Sequence, residues 1–163
     1  MQFAGAVRLM HIFAGAAALV VGLATLSARK GTLVHRRAGL MYFVLVTFTC
    51  ASAAVLSLII KENRWPFLLV AIGTYAFAVV GFAARGRSSR PALVTHVVGL
   101  TSSYAGLLMA FIVNNFGKVT GIELPFVVRL FPLQFISTCV VIYVAVLVFR
   151  GDLPRDRKMR DET

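Results

Sequence analysis

Two apolar runs, Leu9 to Ala28 and Ala38 to Ile60, are separated by the basic segment Lys30-Gly31-Thr32-Leu33-Val34-His35-Arg36-Arg37, and this alternation constrains the chain more than any other feature. Each run reaches the roughly 20 residues that a helix rising about 1.5 Å per residue needs to cross a hydrocarbon layer of about 30 Å. With 59% hydrophobic residues and a mean hydropathy of +0.85, the 163-residue chain has too little polar sequence to coat a soluble domain. The bilayer is the expected solvent. In lipid the backbone finds no hydrogen-bond partner outside itself, so the expected fold class is all-α.

Five spans are expected, at residues 9–28, 38–60, 65–84, 92–116 and 124–149. They form one membrane domain over residues 1–150, followed by a charged cytoplasmic tail at 151–163. The fifth span carries Arg129 and Pro132 in its first turns, which predicts a kinked or interfacial start there. Arg8 before an apolar run resembles a secretory leader, but the run outlasts a typical leader core of about 7–15 residues and is read as the first span. Twelve Lys and Arg residues fall on the side of Lys30, Arg85 and the tail, and five on the other. The positive-inside rule then predicts an N-out, C-in bundle. The same distribution explains a net charge of +11 without nucleic acid: the basic residues set topology and meet anionic headgroups on the cytoplasmic side. Cys50 and Cys139 both lie in apolar runs and read as small packing residues.

No acidic residue occurs in the core of any span, so a mid-membrane carboxylate relay is excluded, and no phosphate-binding glycine loop, nucleophile elbow or Cys-x-x-Cys pair is present. The remaining chemistry lies in His11, His35 and His96. Each heads a stripe of small residues at helical spacing: His11, Gly15, Ala18, Gly22 and Thr25; His35, Gly39, Tyr42, Val46 and Thr49; His96, Gly99, Ser103, Gly106 and Ala110. All three should therefore point into the bundle. Their depths predict that His35 and His96 can meet near the cytoplasmic face, with His11 apart near the outer face. His11-x-x-Ala-Gly15 and His35-x-x-Ala-Gly39 share a pattern, but three letters on spans of opposite direction do not define a repeat.

Two readings of the histidines compete. In one, His35 and His96 ligate a transition metal or a haem b iron, Arg36 and Arg37 neutralise an anion such as the haem propionates, and His11 supplies a second polar or metal site. In the other, each imidazole bonds a backbone carbonyl, or Ser103, Tyr42 or Tyr104, and only packs helices.

The residues His11, Gly15, Gly22, Lys30-Gly31, His35-Arg36-Arg37-Ala38-Gly39 and Tyr42 resemble the N-terminal signature of the DUF2306 family of prokaryotic integral membrane proteins. Arg90, His96, Ser103 and Tyr104 are similar to that family's second histidine-bearing helix, with Val97 where an arginine is usual. The resemblance covers roughly residues 8 to 115. It implies the span order, a bacterial or archaeal cell membrane, and motif positions at His11, Lys30, Gly31, His35, Arg36, Gly39, His96, Ser103 and Tyr104. It implies no substrate or cofactor. The leading expectation is a metal- or haem-binding membrane protein. An oligomeric channel or carrier for a small solute, ion or proton follows, then an accessory subunit of a membrane complex. An enzymatic activity is neither required nor excluded.

Overall fold

The computed structural model describes residues 2–59, 65–87, 89–122 and 124–150, and these form five α-helices in sequence. They are α1 (Gln2–Ser27), α2 (Leu33–Ile59), α3 (Trp65–Ala83), α4 (Arg90–Thr120) and α5 (Phe126–Arg150). The first four are long and apolar enough to cross a membrane, and the shorter apolar stretch Ile136–Leu147 lies within α5. Residues 151–163, expected to form the charged tail, lie outside the described residues, as does the 60–64 connection. The bundle thus has an Arg8 end, where α1 and α3 start, and a Lys30 end, where α2 and α4 start.

The helices begin and end where their capping residues dictate rather than where apolarity does. Segment α1 already runs from Gln2, so Arg8 is a helical residue. Thr32 caps α2: its Oγ1 accepts from the His35 N–H at 3.2 Å, and its carbonyl accepts from the Arg36 N–H at 3.1 Å. This draws His35, Arg36 and Arg37 into the first turns of α2, five residues ahead of the apolar onset at Ala38. Ser89 caps α4 with Pro91 directly behind it, and Gly121, at φ 69°, closes the helix by donating to the Gly117 carbonyl. Helix α5 is continuous through Pro132, and the Arg129 Nη1 donates to the Val113 carbonyl of α4 at 3.1 Å.

Neighbours in sequence pack as neighbours in space, α1 on α2, α2 on α3, α3 on α4 and α4 on α5, with α1 touching α4. The predicted inward stripes are the buried ones: Ala18, Gly22 and Thr25 on α1, Tyr42, Val46 and Thr49 on α2, Gly99 and Ser103 on α4. Large apolar side chains face outward, with Phe13 72% and Leu58 75% exposed, a surface that suits lipid and would be untenable in water. Helices α3 and α4 cross at Gly81 and Gly99, where a Cβ on Gly99 would lie 2.6 Å from the Gly81 Cα. Beside this crossing Phe43 and Phe82 stack at 3.9 Å, and the Arg85 guanidinium covers the other face of Phe82 at 3.4 Å.

The α1–α2 hairpin carries an internal correspondence. His11 and His35, Gly15 and Gly39, Thr25 and Thr49 are each 24 residues apart. In three dimensions they are exchanged: His11 bonds the Thr49 carbonyl, and His35 bonds the Thr25 carbonyl. Gly15 packs on the Thr49 methyl group and Gly39 on the Thr25 methyl group. Both threonine hydroxyls turn back to their own helix, Thr25 to Val21 and Thr49 to Leu45, at 2.8 Å. The antiparallel pair is thus organised about an approximate two-fold axis lying across it.

Candidate functional site

All three imidazoles use Nδ1 in the same way. His35 Nδ1 lies 3.1 Å from the Thr25 carbonyl oxygen, and His96 Nδ1 lies 2.8 Å from that of Gly81. His11 Nδ1 lies 3.1 Å from the Thr49 carbonyl and 3.0 Å from Ser52 Oγ. A carbonyl can only accept, so Nδ1 carries the proton, and in the neutral ring Nε2 is left with the lone pair. Ser52 is matched to this role, because its own hydroxyl proton goes to the Phe48 carbonyl at 2.7 Å and leaves the oxygen free to accept. A carbonyl holding one ring nitrogen is how proteins orient histidines whose other nitrogen binds a ligand. The same bond also fastens one helix to the next.

The histidines occupy two places. His35 meets α1 at Thr25, fourteen positions beyond His11 (from 11 to 25), or about 20 Å along a helix rising 1.5 Å per residue. His35 is held against α1 and His96 against α3, both at the Lys30 end. Among the described residues no three His, Cys, Asp or Glu side chains come together as a metal site. Around the His35–His96 pair the charge is positive. Lys30 Nζ donates to the Leu26 carbonyl at 2.7 Å and shares the Thr25 carbonyl with His35, and partial burial lowers its pKa from the usual lysine value. Arg36 and Arg37 are exposed on the first turns of α2, and Arg85 is tied to the Phe82 carbonyl at 3.1 Å.

The remaining expected polar residues form a bolt in mid-bundle rather than partners for histidine. Tyr42 and Ser103, 3% and 0% exposed, share a hydrogen bond of 3.0 Å, and the Tyr104 hydroxyl donates to the Leu19 carbonyl at 3.2 Å. Both tyrosine rings rest on Gly22, where a Cβ would come within 2.5 Å of Tyr104. Removing one half of the buried pair should cost more than removing both. Ser103→Ala alone is expected to destabilise by about 1–2 kcal/mol, because the Tyr42 hydroxyl is stranded, while Tyr42→Phe with Ser103→Ala should recover most of that loss. Denaturation of Ser103→Ala, Tyr42→Phe and the double variant in mixed micelles would check it, and a double-variant loss equal to the sum of the single losses would show that the hydroxyl pair carries no coupling.

Sequence reasoning did not foresee a partly open cavity of about 540 Å³ between α1, α2, α3 and α4 in the Arg8 half of the bundle. Its polar lining includes Arg8, His11, Ser57, Asn114, Asn115 and Lys118, and no acidic side chain contributes among the described residues. Toward mid-bundle the walls turn apolar, with Leu19, Ala71 and Leu107. A signal was present: Leu107, Ala110, Asn114 and Lys118 fall at spacings of three or four, a polar extension of the α4 stripe. Cys50 is buried against this cavity, whereas Cys139 is exposed on α5, outside the packing role expected for it.

Comparison of the chain with protein-family profiles, with curated proteins and with solved structures yields no match.

Proposed function

We propose that this is a multi-pass membrane protein that binds haem b through His35 and His96, with five spans, N-terminus out and C-terminus in, in a bacterial or archaeal cell membrane. Its likeness to the DUF2306 family and its twelve-to-five charge asymmetry support that setting, with the Lys30 end against anionic cytoplasmic headgroups. The observation that carries the reading is the matched anchoring of His35 and His96 at the Lys30 end: each Nδ1 is held by a carbonyl of a neighbouring helix, and each Nε2 keeps its lone pair. The charge nearby chooses between ligands. A bare divalent cation beside Lys30, Arg36 and Arg37 is repelled, whereas a macrocycle bearing two carboxylates is attracted. A haem held by His35 and His96 would supply one-electron transfer. The chain's own contribution is to orient two neutral imidazoles and to pair the propionates with Arg36 and Arg37.

The test is a visible absorption spectrum of detergent-purified protein produced with ample haem, before and after reduction. A Soret band that shifts on reduction is expected, and a featureless spectrum overturns the haem assignment. The cavity favours a second reading, an oligomeric carrier or channel for a small solute or ion. Under that reading proteoliposomes show flux that His11→Ala impairs.

A further inference from the structure

We infer that the cavity at the Arg8 end is a binding site for a single-chain amphiphile with an anionic headgroup, a carboxylate or phosphate on an apolar tail. The inference does not depend on haem, whose proposed ligands lie at the opposite end.

Three features of the cavity converge on this class. The first is its polarity gradient. Arg8 lies early in α1 and Lys118 late in α4, at the same end of the bundle, with Asn114 and Asn115 one turn inside Lys118. Below them the lining is mostly apolar, with Thr49 and Thr74 among the apolar side chains, down to Leu19 and Leu107. Such a profile matches a molecule lying along the bundle axis, head at the interface and tail at hydrocarbon depth, and suits neither a polar solute nor a plain hydrocarbon. The second is charge. Among the described residues two cations line the mouth and no carboxylate offsets them, so an anionic head gains attraction where the dielectric is falling.

The third is donor supply. The Asn115 Nδ2 donates to the Phe111 carbonyl at 2.8 Å, which ties that amide to its own helix. His11 spends Nδ1 on Thr49 and Ser52, so its ring is fixed at the cavity wall and cannot swing out to solvent. The head is thus bound by Arg8, Lys118 and Asn114, with His11 as a fixed neighbour. The lining reaches as deep as Leu19, whose carbonyl accepts from Tyr104 at mid-bundle, so the tail extends to about that depth. A volume of about 540 Å³ falls inside the range of about 300–1,000 Å³ typical of small-molecule sites.

The experiment is displacement of fluorescent cis-parinaric acid from full-length protein in a neutral maltoside detergent. Oleate and oleoyl lysophosphatidate serve as the two anionic amphiphiles, with oleate methyl ester, acetate and inorganic phosphate as controls. Saturable parinarate binding is expected, displaced by at least one of the two anionic amphiphiles, and which one displaces it names the headgroup. The methyl ester should compete at least about tenfold less well, since it forfeits a charge-assisted contact, and the two tailless anions should not compete. The double variant Arg8→Gln/Lys118→Gln alters exposed side chains only and should weaken parinarate binding by about tenfold or more. Ala53→Leu should fill the wall and weaken oleate and methyl ester alike. A methyl ester equal to the acid, competition by acetate or phosphate alone, or an unchanged affinity in the double variant each overturns the proposal. None of these three outcomes requires Ala53→Leu to fold. The spectral test of the haem site is read separately, so either assignment can fail without the other.

Discussion

Replacing Gly99 with valine is expected to destabilise the bundle by about 3 kcal/mol or more, the largest loss foreseen for any single apolar substitution here. The reason is what lies opposite. A Cβ at Gly99 would stand 2.6 Å from the Gly81 Cα, 2.7 Å from the Gly81 nitrogen and 2.9 Å from the Phe77 carbonyl oxygen. These are backbone atoms, which no rotamer change can move, so α3 and α4 must separate and lose the dispersion contacts along their seam. Separation would also stretch the His96–Gly81 hydrogen bond, which bridges the same crossing. Gly81→Val should behave alike, its Cβ meeting the Leu100 nitrogen at 2.7 Å. Gly73→Ala is the control. Nothing lies within 4 Å of its Cβ position, and the better helix propensity of alanine should leave stability unchanged or raise it by up to about 1 kcal/mol. Unfolding in mixed micelles across the three variants measures the contrast. If Gly99→Val were no worse than Gly73→Ala, the close crossing of α3 and α4 would be wrong.

His35→Ala and His96→Ala are each expected to abolish the Soret band of haem-supplied protein, while His11→Ala leaves it at wild-type height. If both histidines hold the haem, either loss would remove the native spectrum rather than halve it. His96→Ala also deletes a helix-to-helix bond, so a missing band alone would not separate ligation from packing. Added imidazole does separate them. It should restore a low-spin spectrum to each alanine variant by filling the vacated axial position, which a collapsed bundle could not do. A His96→Ala protein with full native absorbance would eliminate the ligand assignment. So would a His11→Ala protein that lost haem as completely as the other two.

How far the sequence was legible depends on which force set each feature. Span positions and inward faces were readable because transfer into lipid and close helix packing both act through simple periodicities; Ala18, Gly22, Tyr42 and Ser103 are buried where their spacing required. The helix ends were less readable, since Thr32 and Ser89 start helices by local hydrogen bonding, whatever the hydropathy of the residues that follow. Partners were not readable. The histidines were placed on the correct stripes, yet which carbonyl each would meet depends on the vertical offset of neighbouring helices, and no pattern along one helix contains that offset. The His-x-x-Ala-Gly pair illustrates the point. Taken as three letters it was weak, but Thr25 and Thr49 at the same spacing complete it, and their meaning emerges only when each lies beside the other helix's histidine. The cavity needed four helices at once and left only the Asn114–Lys118 extension of α4 as a trace.

The reciprocal hairpin of α1 and α2 has a consequence for insertion. Turned end over end about its axis, the pair presents nearly the same knobs and hollows: a histidine near each end, a glycine one turn inward, a threonine to receive the opposite ring. Its shape therefore gives the hairpin no up or down. What breaks the tie is electrostatic, with Arg29, Lys30, Arg36 and Arg37 around one end against Arg8 at the other. Neutralising those four positions would not unmake the hairpin; it would leave Arg8 as the remaining bias, so that the same well-packed unit favours the opposite orientation.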